Sequence, residues 1–334
     1  MKNKGNGTVI FENKPSVVSF AAIAGKKEGE GPLGKYFDKI IEDAYNGEKT
    51  WEKAETSFLQ QTAELAMEKG GFRLCDIDFF VAGDLMNQCT PSGFTARSIN
   101  VPFLGVYGAC STMAESLIVG SLLVSGGGAN YVMCATGSHF CSAEKQYRMP
   151  LEYGGQRTPV SQWTVTASGA AILGKTAEAP FIDSLTAGKI VDLGVKDSTN
   201  MGAAMAPAFC DTLKNHLEAT SRTLDYYDLI LSGDLGITGK KIAEELLQKD
   251  GIKLHGIYKD CGEMIFDANT QDTHSGGSGC GCAASTLCGV ILPLMKKGKL
   301  KRVLLCATGA LLSPITSMQG ESIPSISHAI SFEA

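Results

Sequence analysis

The chain has 334 residues, a formal net charge of -5, 44% hydrophobic residues and 19% charged ones. That balance belongs to a compact globular protein and excludes a disordered chain, while the acidic total excludes a broad basic field for nucleic acid. The length suffices for one large or two medium domains, and glycine or charge interrupts every apolar run before the ~20 residues of a bilayer span.

The N-terminus is polar and lacks the apolar core of a signal peptide. Thr8 to Phe11 and Ser16 to Ile23 read as strands. Asp38 to Tyr45 and Trp51 to Lys69 are helical by period, the second with Ala54, Phe58, Ala63 and Ala66 on one face. Ile77 to Ala82 reads as a buried strand ending in Gly83-Asp84-Leu85. Val101 to Val106 reads as another. Gly108 and Ala109 then permit a tight turn. Cys110 stands at that turn, and a helical pattern follows through Met113, Ser116, Leu117, Gly120 and Leu123. A cysteine at a helix start meets free N–H groups and the positive dipole end, which favour the thiolate and an activated nucleophile. A small buried cysteine packed behind a strand fits the same pattern.

Tyr131 to Ala135 is a strand ending in Thr136-Gly137-Ser138-His139. A loop rich in Tyr, Arg and Gly runs from Glu144 to Thr158, and Thr164 to Leu173 is a glycine-bearing strand. Near the C-terminus, Lys296, Lys297, Lys299, Lys301 and Arg302 read as a helix end plus a turn. Anionic lipid is a second use for such a cluster. The eleven cysteines are expected as free thiols in a reducing compartment. Cys280 and Cys282 are too close to bridge, and no repeated Cys-x-x-Cys pair suggests a metal, so none is expected.

A repeat organises the chain. Cys134-Ala-Thr-Gly137 recurs as Cys306-Ala-Thr-Gly309, and Gly83-Asp84-Leu85 recurs as Gly233-Asp234-Leu235. Cys110 precedes Cys134 by the interval that separates Cys282 from Cys306. The sequence therefore reads as two copies of one α/β unit, residues 1–175 and 176–334. Each is a strand–helix–strand run building a mostly parallel sheet covered by helices. Cys110 and the Ser278–Cys282 turn then stand at helix starts that face one pocket.

A duplicated unit with Ala-Cys-Ser opening a buried helix resembles the thiolase and ketoacyl-synthase superfamily over nearly the whole chain. More closely, Gly31-Pro-Leu-Gly34, Ala82-Gly-Asp-Leu-Met-Asn-Gln88, Gly108-Ala-Cys-Ser-Thr112, Glu152-Tyr-Gly-Gly-Gln156, Gly202-Ala-Ala-Met-Ala-Pro207, Gly276-Gly-Ser-Gly-Cys280 and Ala307 to Pro314 resemble the stage V sporulation protein AD family. The resemblance implies a thiolase-like fold and no cofactor. It also implies a non-catalytic protein that binds dipicolinic acid (pyridine-2,6-dicarboxylic acid), bare or as its calcium chelate, during uptake into the developing spore. The implied partners are membrane proteins of the same sporulation transport system. The implied location is the cytoplasmic side of the forespore or spore, peripheral to the spore inner membrane through those partners. Members of the superfamily usually pair through the sheet, so a homodimer is expected.

Condensing relatives pair the cysteine with two polar partners, His/His or His/Asn. Here Ser232 and Cys280 stand where those partners are expected. His274 lies in a His-x-x-Gly-x-Gly run that only faintly echoes a thiolase element. Cys110 is thus a vestigial nucleophile, with a Cys110-dependent acyltransferase or condensing enzyme, or a structural subunit with a vestigial pocket, as the alternatives. A flat dianion requires N–H donors and cations. The candidate ligand residues are Asp84, Asn87, Gln88, Cys110, Ser111, His139, Arg148, Tyr153, Arg157, Ser278, Gly279 and Cys280. Arg148 or Arg157 would fork one carboxylate, His139 would donate to the other, and Tyr153 would stack on the ring. Asp84 also suits a structural hydrogen bond or cap.

Overall fold

The computed structural model describes residues 1–147, 157–254 and 256–334. Arg148, Tyr153 and the Glu152–Gln156 motif lie outside them. The chain runs through β1 (Lys2–Gly5), β2 (Thr8–Ile10), β3 (Ser16–Gly25), α1 (Lys26–Gly29), β4 (Lys39–Ile41), α2 (Trp51–Gly70), β5 (Phe79–Gly83), α3 (Thr90–Ile99), β6 (Phe103–Gly105), α4 (Thr112–Gly126), β7 (Tyr131–Ser138), α5 (Phe140–Tyr147), β8 (Trp163–Thr164) and β9 (Ala167–Gly174). It continues through β10 (Phe181–Thr186), α6 (Met201–Thr220), β11 (Leu229–Ser232), α7 (Gly236–Lys249), β12 (Tyr258–Asp260), α8 (Cys261–Ile265), β13 (Gly277–Ser278), α9 (Cys280–Thr286), α10 (Leu292–Lys296), β14 (Arg302–Ala310), α11 (Pro314–Met318) and β15 (Ser325–Glu333).

Local chemistry sets the boundaries. Thr50 Oγ1 accepts from Lys53 N at 3.3 Å to cap α2, and Gly71 ends it in the left-handed region (φ 69). The expected helix at 38–45 is not there. The Asp38 carboxylate accepts from Ala22 N, β4 pairs with β3, and Asp43 holds a turn by accepting from Tyr45 and Gly47 N–H groups. Tertiary pairing overrides a short helical period.

The main sheet has the order β12-β11-β14-β15-β10-β3-β9-β7-β5-β6. The outer pairs are parallel and the central ones antiparallel, so the sheet is mixed rather than mostly parallel. Reading inward from each edge gives the same sequence of roles, β6-β5-β7-β9-β3 and β12-β11-β14-β15-β10. The two runs meet where Phe181 of β10 pairs with Ser16 of β3. Among the described residues strand β6 pairs only with β5, so Val101–Val106 is not a buried strand. It carries an exposed edge, with Phe103 and Leu104 more than a third exposed.

Helix α4 lies on β5 and β7 and also touches β14 and β15, while α9 lies on β9, β7 and β3. Met113, Leu117 and Val124 of α4 are fully buried, each worth about 1.5–3 kcal/mol. Glycine permits the close approach of α9, since a Cβ on Gly281 would meet Ala167 O at 2.1 Å. The α4 region, Ala109–Gly126, is apolar and long enough to cross a membrane by composition, but 67% of it is buried in the fold. All eleven cysteines are unpaired.

Candidate functional site

The Cys110 turn is built before its helix begins. Ala109 adopts φ 50, a left-handed value that costs a non-glycine residue about 1–2 kcal/mol. The turn is held by Ser111 Oγ donating to Gly108 O (2.6 Å), Thr112 Oγ1 donating to Ala109 O (2.5 Å) and Gly108 N donating to Thr112 Oγ1 (3.2 Å). Two strand-end glycines clamp it. A Cβ on Gly83 would meet Val106 O at 2.0 Å, and one on Gly309 would meet Gly108 O at 2.1 Å. These glycines belong to the repeated strand ends of the two halves.

The second half closes on the thiol. β13 pairs with β8 and delivers Ser278, whose Oγ lies 3.5 Å from Cys110 Sγ. Gly279 follows at φ 112, with Ser138 Oγ 2.8 Å from where its Cβ would stand, so only glycine fits. Cys280 turns away and donates its thiol to Ala109 O at 3.0 Å. The resulting pocket has about 480 Å³ of empty volume, part of it open to solvent. Its wall is mostly apolar, with Leu85, Tyr107, Tyr147 and Met201. Thr164, Glu144, Ser278 and the Gly279 backbone supply polarity around Cys110.

Electrostatics reverse the expectation for the thiol. Burial first, then the carboxyl of Asp234, push Cys110 up to about 12, while Ser278 and the Gly279 amide pull back less. From the ordinary thiol value this is worth about 4 kcal/mol, against about 0.3–1 kcal/mol for a helix start. Cys110 is therefore a protonated thiol at neutral pH. No described histidine lines its pocket.

The structure gathers Cys110, Ser278 and Gly279 at one wall, with Cys280 and Ser111 directly behind. The other candidates lie elsewhere. Asp84 is fully buried and holds a loop, accepting from Met86 N (2.8 Å), Ser92 N (2.8 Å) and Ser92 Oγ (2.6 Å). This is the structural role that its strand-end position also suited. Asn87 and Gln88 line an outer pocket of about 690 Å³ that shares Tyr107, Tyr147 and Leu312 with the Cys110 pocket. The Tyr107 and Tyr147 hydroxyls, 3.1 Å apart, stand between the two.

His139 is not in the Cys110 pocket. Its Nδ1 accepts from Cys141 N at 3.2 Å, so Nε2 carries the proton toward Ala44 O at 2.8 Å. Burial lowers its pKa and keeps it neutral. Arg157 is spent on Asp272 (2.7 Å) and on the face of Trp163 (4.8 Å). His274 sits half-exposed, with Nε2 3.5 Å from an Asp272 oxygen. Ser232 donates to the Asp260 carboxylate at 2.6 Å. Tyr107, Glu144, Tyr147 and Met201 were not expected at the pocket. The helical spacing of Glu144 and Tyr147 would have placed them on one face had α5 been read as a helix.

Three comparisons bear on this chain. The family model for stage V sporulation protein AD matches residues 5–333. Stage V sporulation protein AD of Bacillus subtilis (strain 168) is 43% identical over 333 residues, covering 100% of this chain and 98% of that protein. Among solved structures, 3-oxoacyl-[acyl-carrier-protein] synthase III from Aquifex aeolicus VF5 superposes with a TM-score of 0.58 at 11% identity, over 96% of this chain and 100% of that one. The tetronic acid condensing enzyme AbyA1 gives 0.59 at 17%, over 96% and 100%. A cysteine-to-serine variant of Xanthomonas campestris OleA with bound lauric acid and lauroyl-CoA gives 0.59 at 11%, over 96% and 100%. At these identities the structures share the thiolase-like fold and carry no activity across.

Proposed function

Since this chain belongs to the stage V sporulation protein AD family, we propose that it binds dipicolinic acid without catalysis and serves its uptake into the developing spore. One observation carries the reading: Cys110 lines a formed pocket as a protonated thiol, with no described imidazole to activate it. A thiol without a base is a poor nucleophile, whereas a pocket with hydroxyl and amide donors still suits a small ligand.

On this reading Ser278 Oγ, Thr164 Oγ1 and the Gly279 amide hydrogen-bond the ligand, and Arg148 supplies the fork for one carboxylate. Glu144 in the wall disfavours a bare dianion without such a cation, which gives a calcium chelate its rationale. Tyr153 stacks on the ring. Neither His139 nor Arg157 takes part. The protein works beside membrane proteins of the same transport system at the spore inner membrane, and it pairs with a second copy through the exposed β6 edge.

Calorimetric titration with dipicolinic acid, with and without calcium and against an isomeric pyridine dicarboxylate, tests this. Saturable binding that prefers the 2,6-isomer is expected. Arg148→Ala should weaken it by about 1.5–3 kcal/mol, the range for a charge-assisted hydrogen bond. The retained, pocket-facing Cys110 favours one rival, an acyltransferase. Turnover with acyl-CoA through acylated Cys110 would replace the binding reading with that one.

A further inference from the structure

We propose that the end of the sheet opposite the Cys110 pocket rests directly on an anionic bilayer surface. One register row crosses that end. Arg302 pairs with Glu333, Glu333 with Phe181, Phe181 with Ser16, and Ser16 with Gly174. Four strand spacings make the row about 19 Å long. Lys301, Lys14 and Lys175 stand just beyond it, and the turn after α10 adds Lys296, Lys297 and Lys299; all six are exposed.

The turn is rigid. Gly298 adopts φ 68, and Gly298 N and Lys299 N donate to Met295 O (2.8 Å) and Leu294 O (2.9 Å), closing the helix end. Its ammonium groups are unspent. Among the described residues, Lys14 alone of the six has an ion pair, with Glu333. The neighbouring acid Asp228 already accepts from the Lys301 and Arg302 amides, at 2.7 and 2.9 Å. Glu178 is the one exposed acid on the connection between β9 and β10.

The chemistry selects the occupant. The charges are lysines, compact and mobile, while the two arginines beside them are engaged: Arg302 and Arg222 both lie over Tyr226, at 4.6 and 4.2 Å, and Arg222 also pairs with Asp183. An open row of lysine point charges without an arginine fork suits a diffuse negative plane. No aromatic side chain alternates with these lysines to stack bases, as a single-stranded nucleic acid would require. Ala310 lines the Cys110 pocket at the far end of β14, so the pocket opens about 26 Å from the basic row. The proposal does not rest on dipicolinic acid binding, and it adds lipid contact to attachment through partners.

Vesicle co-sedimentation of the full chain tests it without dipicolinic acid. Phosphatidylcholine vesicles containing phosphatidylglycerol should retain the protein at low salt, release it as salt rises, and exceed plain phosphatidylcholine about tenfold or more. The variant K296E/K297E/K299E/K301E should lose that excess and keep the parent melting temperature. The control K49E/K53E, on and beside α2, should bind like the parent. Equal retention by neutral vesicles, undiminished binding by the quadruple variant, or equal loss in the control would overturn the proposal. Preference for polyglutamate over anionic vesicles would overturn the bilayer as occupant.

Discussion

Asp84 and Asp234 occupy equivalent positions in the two halves, each in a Gly-Asp-Leu that follows a strand, yet their fates differ. Asp84 accepts three hydrogen bonds and binds its loop to the start of α3. Burial still raises it, but only to about 6, because those donors favour the charged form. Asp234 lies behind Cys110 with its loop already held by another acid. Asp260 accepts from Leu235 N, Gly236 N and Ser232 Oγ. Relieved of that task, Asp234 is pushed well above its ordinary value by burial and then by Asp260. Glu28 stands between the two. It is buried, accepts from Thr166 N at 2.9 Å, and rises to about 7. The state of a buried carboxyl follows the donors that its neighbours supply, not its place in a repeat.

That ranking can be broken, beginning where most is expected. Asp84→Ala leaves three donors buried without an acceptor and should cost about 3–5 kcal/mol in urea unfolding. A loss below about 1 kcal/mol would show that the loop holds without it. Asp84→Asn should recover part of the loss.

Glu28 gives the next effect, and it depends on pH. Its native value lies above its unfolded one, so its contribution is full below about 4.5 and is lost as pH rises through about 7. That slope amounts to about 3 kcal/mol. Glu28→Gln should flatten the stability profile over this window and make the protein more stable at pH 8. An unchanged slope would remove Glu28 from the ranking.

Asp234→Asn should be the mildest. An amide of the same shape replaces a carboxyl whose charged form burial already disfavours, so stability should stay within about 1 kcal/mol of the parent. Removing the repulsion on the thiolate should also speed alkylation of Cys110 at alkaline pH by a few-fold. A large destabilisation would mean that Asp234 is ionised and structural like its counterpart, and unchanged alkylation would mean that its charge does not reach the thiolate.

Much of the architecture was legible because the repeat marks it. The Cys134 and Cys306 strand ends became β7 and β14, and the Cys110 and Ser278–Cys282 turns do meet. Other features depend on partners distant in sequence. The stretch 101–106 has a core composition, but its place at the sheet edge follows from strand order. His139 sits beside a strand end, yet Ala44 and Phe58 fix its ring away from Cys110. The thiol's protonation reflects the dryness of its surroundings, which no local pattern reports. Tyr107 and Tyr147 meet across the pocket mouth although 40 positions separate them.

The position of α9 bears on synthesis as well as on packing. It belongs to the second half of the chain but covers β9, β7 and β3 of the first. When Gly174 leaves the ribosome, α4 already lies on β5 and β7, but the part of the sheet that α9 will cover is bare. It stays so for about a hundred further residues, some ten seconds at about 10 residues per second. The first half is therefore a nascent chain awaiting its own cover. A chain halted after β9 should collect on chaperones rather than accumulate as a folded unit.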